Sequence, residues 1–409
     1  MSQKLRNKQT PENGFRMFIC TLFIALPLFF VSCSEDAPEP ESILHLNPYH
    51  SYHEVLSSFI SEVDYISLET DQMSFIGNVE KIKASEDRLY LLDARVSNAL
   101  YVYDYDGNLD YKISNYGRGP GEFMGPYDFT IDEEEGEIII FDAGGLKLSR
   151  FNLNDGSFIE DTSLEFRFSR FNAYKDGFIF FLNNISTSDG GYNVIRTDRE
   201  LNVLDNHLEM NPNMLNYVFA LPTNFSRYQD SIFLTIPADD QIYRFDQNNG
   251  NVENYLYVDF GNASLPETYF RNHPDRQSRR DAIGNSAHNI SNYFEADDFY
   301  FFRYSRGAQG AHLYIQSKQT DEVIHTTNEL LEDDLNIGPL PLWPMAITDD
   351  TLIWYAQPAA LRNYIRDKQA QMSGPEWSRF QEENQKLITF SESIVDNDNP
   401  YLILTKIEF

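Results

Sequence analysis

The 409 residues contain only two cysteines, Cys20 and Cys33, which is too few for a disulfide framework or a thiolate metal site. Positive charge is also scarce: 32 Lys and Arg stand against 63 Asp and Glu, giving a net charge of −31. Nucleic acid and anionic membrane surfaces are therefore poor partners, because their phosphates would be repelled. The eight histidines are scattered, at 45, 50, 53, 207, 273, 288, 312 and 325, with no His-Glu-x-x-His. No GxSxG nucleophile elbow occurs. Gly117 and Gly119 open a GxGxxG whose third glycine is replaced by Glu122, and the pattern after it alternates like a strand, so a dinucleotide cradle is excluded. No metal and no cofactor are expected. The one long apolar run, Met17 to Val31, is too short to span a membrane.

That run reads as the core of a signal peptide behind a basic start, Lys4, Arg6, Lys8 and Arg16 against Glu12. Cleavage after residue 32 would remove a net charge of +3 and leave about −34. Residues 33–61 begin with Cys33, Ser34, Glu35 and Asp36 and continue as an acidic, Pro-containing tether.

From residue 62 a short apolar strand recurs after an acidic turn: RLYLLD at 88, EIIIFD at 137, GFIFFL at 177, SIFLTI at 231, DFYFFR at 298 and TLIWYA at 351. The intervals of 40 to 67 residues suit four-stranded blades, two of them enlarged by insertions. Each copy has a following strand, from ALYVYD at 99 to YLILTK at 401. The sixth copy runs out of chain at Phe409, while the strand 62–69 stands unpartnered at the start, so these ends are expected to pair and close the ring. The expected fold over 62–409 is an all-β, six-bladed β-propeller with two helical insertions on one face.

With strands named A to D from the axis outward, the A–B and C–D turns are short and polar. All long excursions fall in the D–A and B–C connections, which share the opposite face. The loop Asn115–Met124 offers Arg118 and Glu122 as its groups with free chemistry. The insertion 261–285 gathers Arg271, His273, Arg276, Arg279 and Arg280, suited to forked hydrogen bonds with carboxylate or sulfate. The insertion 357–399 reads as two helices, the second opened by a capping box at Ser373 and Glu376 and carrying Trp377, an aromatic platform. Arg118, Glu122, Arg271, Arg276, Arg279, Arg280 and Trp377 are thus the expected ligand-binding residues. The starts of the A strands (Asn78, Tyr127, Phe171, Asn224, Asn289) give a mixed channel lining that does not suit a hydrolytic divalent metal.

Val31-Ser32-Cys33 resembles a bacterial lipobox, with Phe30 where Leu is usual, and Ser34-Glu35-Asp36 resembles the surface-export signal of Bacteroidota lipoproteins. GRGPGEF (117–123) with the strand and IIIFD behind it resembles an NHL-type repeat. Together with the YLLD…YVYD…DG pattern and the terminal DNDNPYLILTKIEF, these features resemble the six-bladed β-propeller lipoproteins of the Bacteroidota over residues 33–409. The resemblance implies a lipid on Cys33, anchorage in the outer membrane and exposure at the cell surface. The function expected is recognition of a glycan, peptide or protein partner at the built-up face. The alternative is a metal-dependent hydrolase or lyase working in the channel, as in other six-bladed enzymes.

Overall fold

The computed structural model describes residues 39–409, apart from 72–73, 188–190, 221–222, 308–309 and 342. Cys33, Glu35 and Asp36 lie outside the described residues. Glu39–Phe409 form one compact unit. Among the described residues no helix is long and apolar enough to cross a membrane.

Six antiparallel sheets make the blades of a β-propeller. Blade 1 is Lys81–Ala84, Leu89–Asp93, Ala99–Tyr103 and Leu109–Ile113. Blade 2 is Pro126–Asp132, Glu137–Asp142, Lys147–Asn152 and Phe158–Ser163; blade 3 is Arg170–Tyr174, Gly177–Phe181, Tyr192–Asp198 and Val203–Glu209. Blade 4 comprises Phe225–Tyr228, Ser231–Thr235, Gln241–Asp246 and Val252–Asp259, and blade 5 Ala287–Glu295, Phe299–Arg306, Ala311–Ser317 and Val323–Thr327. Blade 6 takes Ala346–Thr348, Thr351–Ala356 and Tyr401–Ile407 from the C-terminal part, and its outer strand is Ile60–Ser67, antiparallel to Tyr401–Ile407.

The B strands are apolar runs because both faces are covered by neighbouring blades. Leu89–Asp93 and Gly177–Phe181 are buried at every position. Each Leu, Ile or Phe so buried contributes roughly 1.5–3 kcal/mol. The Asp that ends a B strand is also buried, and it clamps the loops beside it. Asp93 accepts from the amides of Gly77, Asn78 and Val96, and Asp142 from those of Met124, Gly125 and Gly144.

Two segments differ from their sequence reading. The stretch assigned to a tether is woven into the ring from Ser42 onward: Ser42–His45 runs parallel to the outer strand of blade 4, and Glu54–Val55 pairs with Leu331–Glu332. Leu46, Leu56 and Phe59 are buried there. The insertion 357–399 holds three helices rather than two: α3 (Pro358–Gln371), α4 (Gly374–Glu383) and α5 (Gln385–Ser393), with a break at Asn384. In this numbering α1 and α2 are the short helices Tyr269–Asn272 and Arg276–Ala282. The capping box is present, with Glu376 accepting from the Ser373 amide at 2.7 Å. The trio packs on the outer part of blades 5 and 6: Phe390 stacks on Tyr65 at 4.9 Å, Lys386 pairs with Asp64, and Leu361, Phe380, Leu387 and Ile388 join one cluster with Phe301, Leu313 and Trp354. The apolar stripes of these helices are thus spent on the scaffold.

Candidate functional site

The A strands are short, with one side turned to the axis, and they leave a cavity of about 840 Å³. Its wall includes Lys81, Lys83, Thr223, Ser226, Arg227 and Glu133. Ser85, Glu86, Gln229 and Asp349, from A–B turns, also line it, so it opens at the end of the ring where the turns are short. A second cavity of about 690 Å³, walled by Asp71, Gly77, Gln357, Asp396 and Asp398, lies in the long connections.

Polar links join the A strands around the axis. Lys81 Nζ lies 2.5 Å from Asp128 Oδ1 and donates to the Phe129 carbonyl, while Asp128 Oδ2 accepts from the Phe171 amide. This pair is buried and closed. Lys83 Nζ donates to Thr130 Oγ1 at 3.3 Å and Asn172 Oδ1 at 3.2 Å, and Arg227 donates to the Ala173 carbonyl. Among the described residues neither Lys83 nor Arg227 has a carboxylate at ion-pair distance. Burial, then the charges of Lys81 and Arg227, hold the Lys83 ammonium well below the ordinary lysine range, against the opposing pull of Asp128 and Glu133. Arg227 is exposed to the channel, yet wall atoms surround most of it, and this enclosure lowers its pKa.

Thr223 and Ser226 are 8% and 9% exposed, and their hydroxyls have no hydrogen-bond partner among the described residues. A buried polar group left unmade costs about 1–3 kcal/mol, and both residues line the cavity. Among the described residues no three His, Cys, Asp or Glu gather as they would around a metal. What the wall offers chemically is hydrogen bonding, with Lys83 and Arg227 set against Glu86, Glu133 and Asp349.

The residues expected from sequence to bind ligand lie on the other face, and no hydrogen bond, ion pair or ring contact joins their three loops among the described residues. Glu122 turns back into its own loop and accepts from the Gly119 amide at 2.8 Å; Gly117 lies so near that a Cβ there would meet the Glu122 carboxylate. Arg118 is exposed beside it. Arg279 is committed to its insertion, stacked 4.0 Å over the Tyr217 ring and donating to the His273 and Pro274 carbonyls. Arg271, Arg276 and Arg280 are exposed. Trp377 is half-buried and stacked on Phe380 at 5.3 Å. The same face also exposes Phe75, Val96, Tyr116, Tyr127, Val218 and Val395.

Four of the five A-strand starts likewise serve the scaffold, Asn224 being the exception. Asn78 donates to Glu80, Phe171 is core, Asn289 accepts from the Ala238 amide, and Arg170 covers the ring of Tyr127. Asn224 is buried with both amide atoms unpartnered. The cations Lys83 and Arg227 sit further along the A strands than these starts. Their only sequence signal is Lys81-x-Lys83 and Arg227 in strands of a chain short of positive charge.

A family model described as Domain of unknown function (DUF4934) matches residues 50–406. No curated protein matches the chain. Among solved structures, a candidate exported protein from Bacteroides fragilis is similar with a TM-score of 0.73 at 18% identity, covering 90% of this chain and 99% of that one. A member of the duf4221 family from Bacteroides vulgatus is similar with a TM-score of 0.47 at 11% identity, over 85% of this chain and 97% of that one. The first likeness supports the six-bladed fold.

Proposed function

The chain belongs to the DUF4934 family, and from that premise we propose that it is an exported recognition propeller, held at the outer membrane by lipid on Cys33, which takes a ligand into its central channel. The observation that carries this reading is the cavity of about 840 Å³, of a size suited to a small ligand, whose wall holds hydroxyls without partners among the described residues. A rigid ring of six blades positions those groups in advance, which lowers the ordering cost of binding. Export is supported by the signal-peptide and lipobox pattern of residues 1–33, and the similar Bacteroides fragilis protein is itself described as a candidate exported protein. The test is a screen of glycans and peptides for binding to the full-length protein in detergent, repeated on Thr223→Trp, which fills the channel wall. Loss of the selected ligand supports the reading; unchanged binding refutes it.

The opposite face supports a second reading, docking of a partner protein, because exposed aromatic and aliphatic side chains lie there beside Arg118, Arg271, Arg276 and Arg280. For an anionic partner, changing Arg271, Arg276 and Arg280 together to Ser would weaken binding by ~2–5 kcal/mol, the scale of a few screened charge-assisted hydrogen bonds. Arg279 is left intact in that variant because it holds its insertion together. A partner whose affinity tolerates the triple change does not dock through these arginines.

A further inference from the structure

Resting on the channel reading, we propose that the mouth formed by the A strands of blades 1 and 4 binds a single oxyanion group, a carboxylate, sulfate or phosphate on a small ligand, through Lys83 and Arg227 with Thr223 and Ser226 as further donors. A lysine ammonium has three N–H donors and a guanidinium five. As a neutral amine Lys83 spends both of its N–H donors, on Thr130 and Asn172, and gains a third on taking up a proton, while Arg227 donates to the Ala173 carbonyl. Among the described residues the hydroxyls of Thr223 and Ser226, enclosed in the wall, have no partner. These four side chains line the same cavity.

Lys81 has its own buried carboxylate, Asp128, 2.5 Å away, and needs no more. Among the described residues Lys83 and Arg227 have none at ion-pair distance, although the chain carries 63 acidic residues. If these cations served only to rivet the A strands, a carboxylate like Asp128 or a neutral donor would do so without placing like charges near one another. An oxyanion entering the mouth relieves that repulsion and offers acceptors to every open donor. The acids nearer the rim set the selectivity. Glu86, Glu133 and Asp349 line the cavity, and the field of Asp132, Glu133 and Asp230 reaches Arg227. They oppose a polyanion laid across the opening and leave a single oxyanion group as the fitting guest.

Binding also has a protonic signature. Lys83 is faced by Lys81 and Arg227, by Asp128 and Glu133, and by the neutral Thr130 and Asn172. With its ammonium disfavoured in the free protein, an arriving anion stabilises the charged form and draws in a proton.

The experiment is calorimetric titration of the full-length protein in detergent with sodium sulfate, sodium phosphate and sodium glucuronate, each against sodium chloride at matched ionic strength. At least one oxyanion is expected to bind saturably, and heats compared in buffers of different ionisation enthalpy should show proton uptake; the three salts distinguish the oxyanion preferred. Lys83→Met and the double change Thr223→Val/Ser226→Ala should each weaken binding at least tenfold, whereas Arg366→Ser, a remote charge control on α3, should not. Should Lys83→Met fold poorly, Arg227→Gln and the hydroxyl double variant carry the test. A response no different from chloride, or binding untouched by the channel variants, overturns the proposal. If no oxyanion binds while Thr223→Trp still abolishes binding of a neutral ligand, the oxyanion assignment falls and the channel reading stands. If Thr223→Trp spares every ligand, the channel reading falls as well.

Discussion

Acid should loosen the edge of blade 5 first, through His312 and His325. The two rings are 5.9 Å apart on neighbouring strands and almost fully buried, at 4% and 5% exposure. Segment 48–53 crosses over them: Ser51 meets His312 Nδ1 at 2.9 Å, the Tyr52 amide donates to the His325 carbonyl, Thr326 donates to the Tyr52 carbonyl, and Arg306 donates to the Pro48 carbonyl. Burial pushes both imidazoles down to about 4, with Arg306 adding to the effect at His312 and His312 adding to it at His325. Since the folded pKa lies below the unfolded value of about 6.5, the unfolded state binds more protons between these values. The stabilisation from keeping both rings neutral is therefore complete above about pH 6.5 and is lost as pH falls towards 4.

At about 1.4 kcal/mol per pKa unit, the two shifts would together give about 6–7 kcal/mol. Discounting by about half for water reaching an outer strand leaves roughly 3 kcal/mol. With an unfolding entropy of about 2.1 cal/mol/K per residue, that is a drop in Tm of about 4 °C for a ring of this size. Asp240 works the other way: burial raises its carboxyl to about 6, so its contribution grows as pH falls through that value. The informative quantity is therefore the difference between the protein and a His312→Gln/His325→Gln variant, followed by calorimetry from pH 7.5 to 4.5. The variant should lose about 4 °C less than the parent over this interval. Equal losses would mean that the pair does not titrate in the window argued here.

Removing the clamp at Asp142 by Asp142→Ala orphans the amides of Met124, Gly125 and Gly144 and should cost ~3 kcal/mol in denaturant unfolding; a loss under about 1 kcal/mol would show that water replaces the carboxylate. Asp128→Asn leaves Lys81 buried beside no counter-charge and should cost roughly 3–5 kcal/mol, whereas Lys81→Met/Asp128→Leu should recover most of it. A double variant as unstable as the single would put the cost in packing instead. Cys33→Ala should convert a detergent-requiring protein into one that fractionates as soluble, and retention with membranes would refute lipidation. Glu35→Ala/Asp36→Ala should keep the lipid but lose protease accessibility on intact cells, and unchanged accessibility would refute the export signal.

The ring was legible because its B strands are covered on both sides: a run such as Leu89–Asp93 must then be apolar throughout, and acidic turn residues mark where it ends. The N-terminal strap was not. Ser42–His45 holds to blade 4 through backbone groups in a parallel ladder, with no side chain buried deeply enough to leave a pattern, and Leu46 and Phe59 are too far apart to show a period. The third helix escaped notice because Asn384 interrupts a stretch with no Pro or Gly to mark the break. The role of the terminal Asp in YLLD and IIFD was hidden for a different reason. Next to a turn, a buried clamp and a solvated turn residue have the same spelling.

Polar residues are better ranked by what they still lack than by the length of the loop that carries them. Long connections on one face drew attention to Glu122, Arg279 and Trp377, and each proves to be engaged: with its own glycine loop, with Tyr217 and two carbonyls, and with Phe380. Loops without regular structure need such internal contacts, because their backbone groups would otherwise stand unpaired. The A strands have that problem solved by their ladders, so side chains on the channel side are released from holding the fold. Among the described residues Thr223 and Ser226 keep buried hydroxyls with no partner, and Lys83 and Arg227 stand without a carboxylate at ion-pair distance. A scaffold selected only for stability would replace such groups by apolar ones of similar shape at little cost. Their presence in one cavity is therefore the stronger reason to look for a ligand in the channel, and Thr223→Val is the simplest check. It should leave the melting temperature unchanged or raise it while weakening the ligand, and a variant that melts lower would show the hydroxyl to be structural.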